Sequence, residues 1–292
     1  QFLSQFYYKD YLIKKNIDDK YINKLKKLCC LNNDKEIKPS KYYALIKADI
    51  DDLGKHFSGK YLKEEDELLN FQEKLSSRIS DLGFNFEDNL DKTYDNKRLC
   101  IYTGGDDILF FCPLYKIFDC IRRIDDYLIE VQLENYDKKI TMSKSIVISH
   151  STIPLKKVIN LSRASLETAK EKFKNDGKDS IAISLINLSA AVLTTYLKNK
   201  EENISLLKDI VNGFKNSISR SLIYTMEKQF YLLGENMTFN EYDILHNVIE
   251  NLIKRICDRK ISGSNERKKY ASKLEKLFYE FVDVNSTNYH ID

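Results

Sequence analysis

The chain has 292 residues, of which 42% are hydrophobic and 31% charged, with a net charge of +3. That balance excludes a disordered chain, and it supplies no overall field that would draw in a polyanion. No apolar run approaches the roughly 18 residues of a membrane-spanning helix, and the six cysteines lack C-x-x-C spacing. Membrane spanning and the common zinc and disulfide scaffolds are therefore not expected, and the thiols read as reduced in a cytosolic protein.

Three prolines and nine glycines point to much regular structure. Residues 1–40 read as a basic helical lead-in and linker. Lys14, Lys15, Lys24, Lys26 and Lys27 cluster there, and Pro39-Ser40 breaks the pattern. A second basic cluster, Arg267, Lys268, Lys269 and Lys273, lies near the end. Both read as solvated helix faces before they read as nucleic-acid contacts. "YYALIKAD" is a short apolar run that ends in acid, a buried strand. A polar, periodic stretch from Leu62 to about Leu90 follows as a helix. "RLCIYT" and "DILFFC" are β-rich runs around Gly104-Gly105-Asp106, a hairpin signal.

Ile117, Phe118, Ile121, Ile124, Leu128 and Val131 recur at helical spacing. "SIVIS" is a further strand, Pro154 suits the first turn of another helix, and "SIAISL" is a strand or edge. Beyond about residue 189 the stretches 187–200, 203–230, 240–260 and 269–282 all read as helices. The first six elements after residue 41 form a β-α-β-β-α-β series, the ferredoxin-like or palm topology. The expected fold class is α+β, with a palm over residues 41–188 and an all-α C-terminal domain over 189–292.

That topology makes the first strand and the central hairpin neighbours. Asp49 ends the first strand, while Asp106 and Asp107 sit at the hairpin, so the fold would crowd three acids together. Such crowding is costly unless a cation neutralises it, which makes these residues candidate metal ligands. Gly104 and Gly105, lacking Cβ atoms, would allow a tight turn and the close approach of a nucleotide. A plain Gly-Gly-Asp turn without a ligand is the competing reading. Either Asp51 or Asp52 suits a cap on the following helix.

"ADIDDLGKHF" followed by "YTGGDDILFF" resembles the catalytic palm of the large subunit of type III CRISPR effector complexes. The resemblance continues through "SIVISHSTIPLKKVINLSRASLETAKEKFKNDGKDSIAI" and "NSISRSLIYTMEKQF", is nearest the III-B type, and covers roughly residues 41 to 285. It implies a nucleotidyltransferase that joins ATP into cyclic oligoadenylates and releases pyrophosphate. Its implied partners are the other subunits of an RNA-guided complex, guide RNA and an activating target RNA.

By position, Asp49, Asp106, Asp107 and the Ile50 carbonyl would hold Mg²⁺ or Mn²⁺, as two ions. Gly104, Gly105 and Asp52 would line the nucleotide, and Lys170 and Lys178 would reach the triphosphate. Read from composition alone, those two lysines belong to a solvated face, His150 is a packed or surface histidine, and Ser219, Arg220 and Tyr224 are packing or interface residues. Ser145 stands where relatives often have Gly. The family's HD nuclease, its zinc-binding cysteine pairs and a second, degenerate palm that helps form the acceptor-ATP site are not found. The lack of that palm leaves a fragment, a second chain or a pair of copies as possibilities. Two other functions fit the same fold: a stand-alone minimal cyclase that makes cyclic dinucleotides as a homodimer, and a non-catalytic scaffold that binds subunits and RNA. The gathered acids count against the scaffold.

Overall fold

Side chains alternate across a strand, so one strand can serve two layers. In the computed structural model, which describes residues 40–62, 68–93, 100–132, 136, 138–236 and 242–285, β1 (Tyr42–Ile50) does so. Ala44, Ile46, Ala48 and Ile50 are buried on one face, and Leu45, Lys47 and Asp49 alternate with them on the other. The lead-in expected over residues 1–40 lies outside the described residues up to residue 39.

After β1 come α1 (Leu53–Phe57), α2 (Leu68–Thr93), β2 (Cys100–Gly104), β3 (Asp107–Cys112), α3 (Ile117–Val131) and β4 (Met142–His150). Then follow α4 (Leu155–Lys172), β5 (Ser180–Ile186) and β6 (Val192–Lys198). The described strands form one sheet in the order β2-β3-β1-β4-β5-β6. β1 runs antiparallel to both β3 and β4, and β2 is antiparallel to β3, which is the ferredoxin-like core expected from the sequence. β5 adds to it in parallel with β4 through the α4 crossover.

α4 packs over β1, β4 and β5, where Leu45, Val147, Val158 and Ile186 form a core. On the other face, Phe110, Ile108, Ile121, Ile124 and Ile146 are fully buried. Each contributes about 1.5–3 kcal/mol by leaving water. Burial also reaches a charge: the Lys144 side chain is wholly enclosed, with Nζ 2.6 Å from Asp125 Oδ1 of α3 and 3.0 Å from the Met142 carbonyl.

The chain divides into two compact units between Tyr196 and Leu197, within β6. The expected boundary was eight residues earlier, because residues 187–200 read as helix. Val192, Thr194, Thr195 and Tyr196 are β-branched or aromatic residues that lose side-chain freedom in a helix and pack well beside a strand, so sheet pairing prevails.

The second unit contains α5 (Glu201–Asn216), α6 (Ser221–Asn236), α7 (Tyr242–Lys260) and α8 (Ser264–Asn285). The single helix expected over 203–230 is broken at residues 217–220. There Ile218 forms an antiparallel bridge with Ile261, and the Ser219 amide donates to the Lys260 carbonyl at 3.0 Å. Ile218, Leu222, Ile253, Ile256 and Leu274 centre this core. Gly213 is needed for close approach, since a Cβ there would lie 2.6 Å from Ile218 Cδ1 and 2.7 Å from Tyr270 Cζ. The later basic cluster is a solvated face in part: Lys268 and Lys269 are exposed, while Lys273 pairs with Asp209.

Candidate active site

Antiparallel register brings the acids together. Asp49 on β1 is directly paired with Asp107 on β3, which places both on the same face of the sheet. The Ile50 amide then donates to the Asp106 carbonyl at 3.0 Å, which ties the hairpin tip to the end of β1. Gly105 makes that turn with φ +67°, and a Cβ there would sit 3.2 Å from Ile79 Cγ2 of α2. Gly105→Ala is therefore expected to cost about 1–2 kcal/mol, seen as a drop of several degrees in the thermal midpoint. The Tyr102 ring lies across Gly104, so that a Cβ on Gly104 would meet its hydroxyl at 1.8 Å. The Asp107 charge raises the Tyr102 phenol above its usual pKa, and burial, a hydrogen bond to Asp107 and the Asp106 charge add to the shift.

Lysines hold the carboxylates. Lys47 Nζ lies 2.6 Å from Asp107 Oδ2, and Lys170 pairs with Asp49. Lys170 Nζ also stands 3.4 Å from the Ile50 carbonyl and 3.6 Å from Asp51 Oδ1. Burial raises the Asp49 carboxyl above its ordinary pKa; Lys170 and Lys47 oppose that shift, and the neighbouring Asp106 adds to it. Among the described residues no three acids, histidines or cysteines stand together as a ready cation cage. The structure thus brings Asp49 and Asp107 side by side and Asp106 within electrostatic reach, with ammonium groups as the counter-charges. The donors here are carboxylate and carbonyl oxygens, which suits a hard divalent cation such as Mg²⁺ or Mn²⁺ and not a soft metal.

Asp52 and Asp51 serve different ends, and neither acts as the expected side-chain cap. Asp52 is the N-cap residue of α1 with φ 53°, yet its side chain makes no capping bond. Its Oδ1 lies 2.8 Å from Lys178 Nζ and 3.0 Å from Lys55 Nζ. Burial acts to raise its pKa, but the two lysines outweigh it and pull the carboxyl down to about 2. A carboxyl with a depressed pKa stabilises the fold while ionised, and that contribution fades as pH falls from 3.8 through about 2. Asp52→Asn tolerates the same left-handed backbone. It is expected to lower stability at pH 7 by about 1 kcal/mol after solvent screening. In paired urea titrations the gap should close below about pH 2; a constant gap would contradict the assignment.

Asp51 is 3% exposed, and its carboxylate accepts from Ser143 Oγ at 2.8 and 3.0 Å, Thr141 Oγ1 at 3.0 Å and the Asp179 amide at 3.0 Å. Those partners lie far along the chain, and nothing local in the sequence signals them. Lys47 did carry a signal, because it stands two residues before Asp49 on one strand and so shares its face. Lys170 is 8% exposed, so it is not part of a solvated lysine face.

Other sequence candidates lie elsewhere. His150 pairs across from Tyr42 at the opposite end of β1, about 24 Å from Asp49 along the strand. It is packed edge-on against Tyr42, with Nδ1 2.8 Å from Thr152 Oγ1. Ser145 lies 2.7 Å from Ser165 Oγ within the α4 interface. Ser219, Arg220 and Tyr224 are exposed, with Tyr224 72% accessible, so they do not pack in the core.

Residues 42–182 match the family model described as Cas10/Cmr2, second palm domain. It is thus the second palm that this chain resembles, whereas the sequence reading takes the second palm as the one not found. The CRISPR system Cmr subunit Cmr2 of Pyrococcus furiosus is 26% identical over 272 residues, which is 84% of this chain and 29% of that protein. A type III-B Cmr-beta cryo-EM structure in the apo state matches with a TM-score of 0.50 and 16% identity, covering 87% of this chain and 37% of that one. The Cmr-beta structure bound to cognate target RNA matches at 0.47 and 17% identity, with the same coverage. The chain therefore spans about a third of the length of these relatives. Sequence motif, strand order and family match coincide on the same residues: the palm of this chain, residues 42–182, is similar to the second palm domain of Cas10/Cmr2.

Proposed function

We propose that the palm is a metal-dependent nucleotidyltransferase that converts ATP to cyclic oligoadenylates, with release of pyrophosphate. The observation that carries this reading is the register pair Asp49–Asp107, with Asp106 tied beside it, at one end of a palm similar to that of Cas10/Cmr2. Asp49, Asp106, Asp107 and the Ile50 carbonyl would hold two Mg²⁺ or Mn²⁺ ions. Bound there, the ions would acidify an attacking hydroxyl and neutralise charge on the leaving phosphate.

The lysines give the site its second function. Lys170 and Lys178 now rest on Asp49 and Asp52. As flexible point charges they can turn to triphosphate oxygens once those carboxylates have other partners. Gly104 and Gly105 would face the nucleotide, with Tyr102 moving from its place across Gly104. The 3′-hydroxyl of one ATP would attack the α-phosphate of another, forming a phosphodiester and breaking the bond to pyrophosphate. The working assembly would be a cytoplasmic type III complex with its other subunits, guide RNA and target RNA. Among the described residues, no helix is long and apolar enough to cross a membrane.

The test is incubation of the chain with ATP or GTP and Mg²⁺ or Mn²⁺, alone and in its assembled complex, with products read by mass spectrometry. Cyclic oligoadenylate formed in the target-bound complex is the expected result. Unchanged product from the Asp106→Ala/Asp107→Ala double variant would refute the site. A cyclic dinucleotide made by the isolated chain would favour the stand-alone cyclase.

A further inference from the structure

The geometry points to Asp51 as a positioning residue that sets both lysines toward a triphosphate; this rests on the nucleotidyltransferase reading above. Asp51 does not face outward as Asp106 does. Its carboxylate is buried and joins three segments: the end of β1, Thr141 and Ser143 at the start of β4, and Asp179 just before β5.

The Asp179 contact is the informative one. Gly177, Lys178 and Asp179 run consecutively through the left-handed region, with φ +78°, +60° and +44°. Such a conformation is costly for the two residues with side chains and persists only where surrounding bonds hold it. Asp51 grips this turn through the Asp179 amide, and the turn presents Lys178, whose Nζ reaches Asp52 at 2.8 Å. The same carboxylate stands 3.6 Å from Lys170 Nζ, the ammonium that also pairs with Asp49. Asp51 thus steadies one lysine through the backbone and the other by charge. When divalent ions occupy Asp49, Lys170 keeps an anionic neighbour that holds it at the site. Besides its anchors on β4, Asp51 reaches only Lys170 and the turn that carries Lys178 among the groups proposed to meet the nucleotide. Its loss should therefore weaken the hold on phosphates and leave the hold on adenosine intact.

Equilibrium binding of α,β-methylene-ATP and of AMP to the chain in Mn²⁺ separates those two effects. In Asp51→Asn, affinity for the triphosphate should fall about tenfold while AMP binding stays within about twofold. Thr141→Val, which removes a single donor to the same carboxylate, should lower the ratio about threefold and is the variant to read if Asp51→Asn does not fold. A ratio unchanged in a folded variant, with the wild type binding the triphosphate well, would leave Asp51 as a pin of the sheet and overturn the inference alone. A wild-type chain that binds neither nucleotide would overturn the nucleotidyltransferase reading and this inference with it.

Discussion

Asp107→Ala should lower nucleotidyl transfer by at least about a thousandfold, the loss expected when a directly charge-organising group is removed from the reacting centre. Asp107 is the residue for which register and charge agree most closely. It faces Asp49 across the β1–β3 ladder and holds Lys47 at 2.6 Å. The alanine variant has a side effect, because it leaves the half-buried Lys47 ammonium without this partner and should cost about 1 kcal/mol of stability. Asp107→Asn is therefore the sharper variant. It retains shape and one acceptor for Lys47, and removes the negative charge. Loss of product with a near-wild-type thermal midpoint in Asp107→Asn would assign the effect to charge at the site. Full activity in that variant would place the chemistry elsewhere.

The second large effect concerns stability alone. Asp125→Ala should destabilise the palm by about 3 kcal/mol, because it strips the carboxylate from a lysine that cannot reach water. Lys144 is wholly buried, while the Asp125 side chain is 36% exposed. The two single variants should therefore differ: Lys144→Met leaves a carboxylate that solvent can reach, and it should cost less. The double variant Asp125→Ala/Lys144→Met should recover most of the loss, since no buried charge then remains unpaired. Urea unfolding of the three variants measures the coupling. A double variant as unstable as the sum of the singles would show that the pair contributes nothing as a pair.

Much of the palm was legible because its signals are local. A short apolar run ending in acid marks β1, a β-rich run marks β3, a one-faced stripe marks α3, and the glycine-bearing break between β-rich runs marks the hairpin. Those elements in that order restrict the topology to a few choices, and the ferredoxin-like choice makes Asp49 and Asp107 neighbours. The misreadings fall where pairing partners outside the local window decide the structure. Residues 192–198 carry no Gly or Pro to stop a helix reading, and only an adjacent strand settles them as β6. The break between α5 and α6 depends on the bridge from Ile218 to Ile261, which no window of the sequence contains.

By itself the sequence determined the order of elements from β1 to β5, the acid-terminated first strand and the Gly-Gly-Asp-Asp hairpin, since each is written in neighbouring residues. Only the tertiary structure decided which cations stand against which acids. Lys47 on Asp107, Lys170 between Asp49 and Asp51, and Lys178 on Asp52 join residues that the chain holds far apart. Ion pairs form wherever the fold brings opposite charges within a few ångströms, and composition carries no record of those distances.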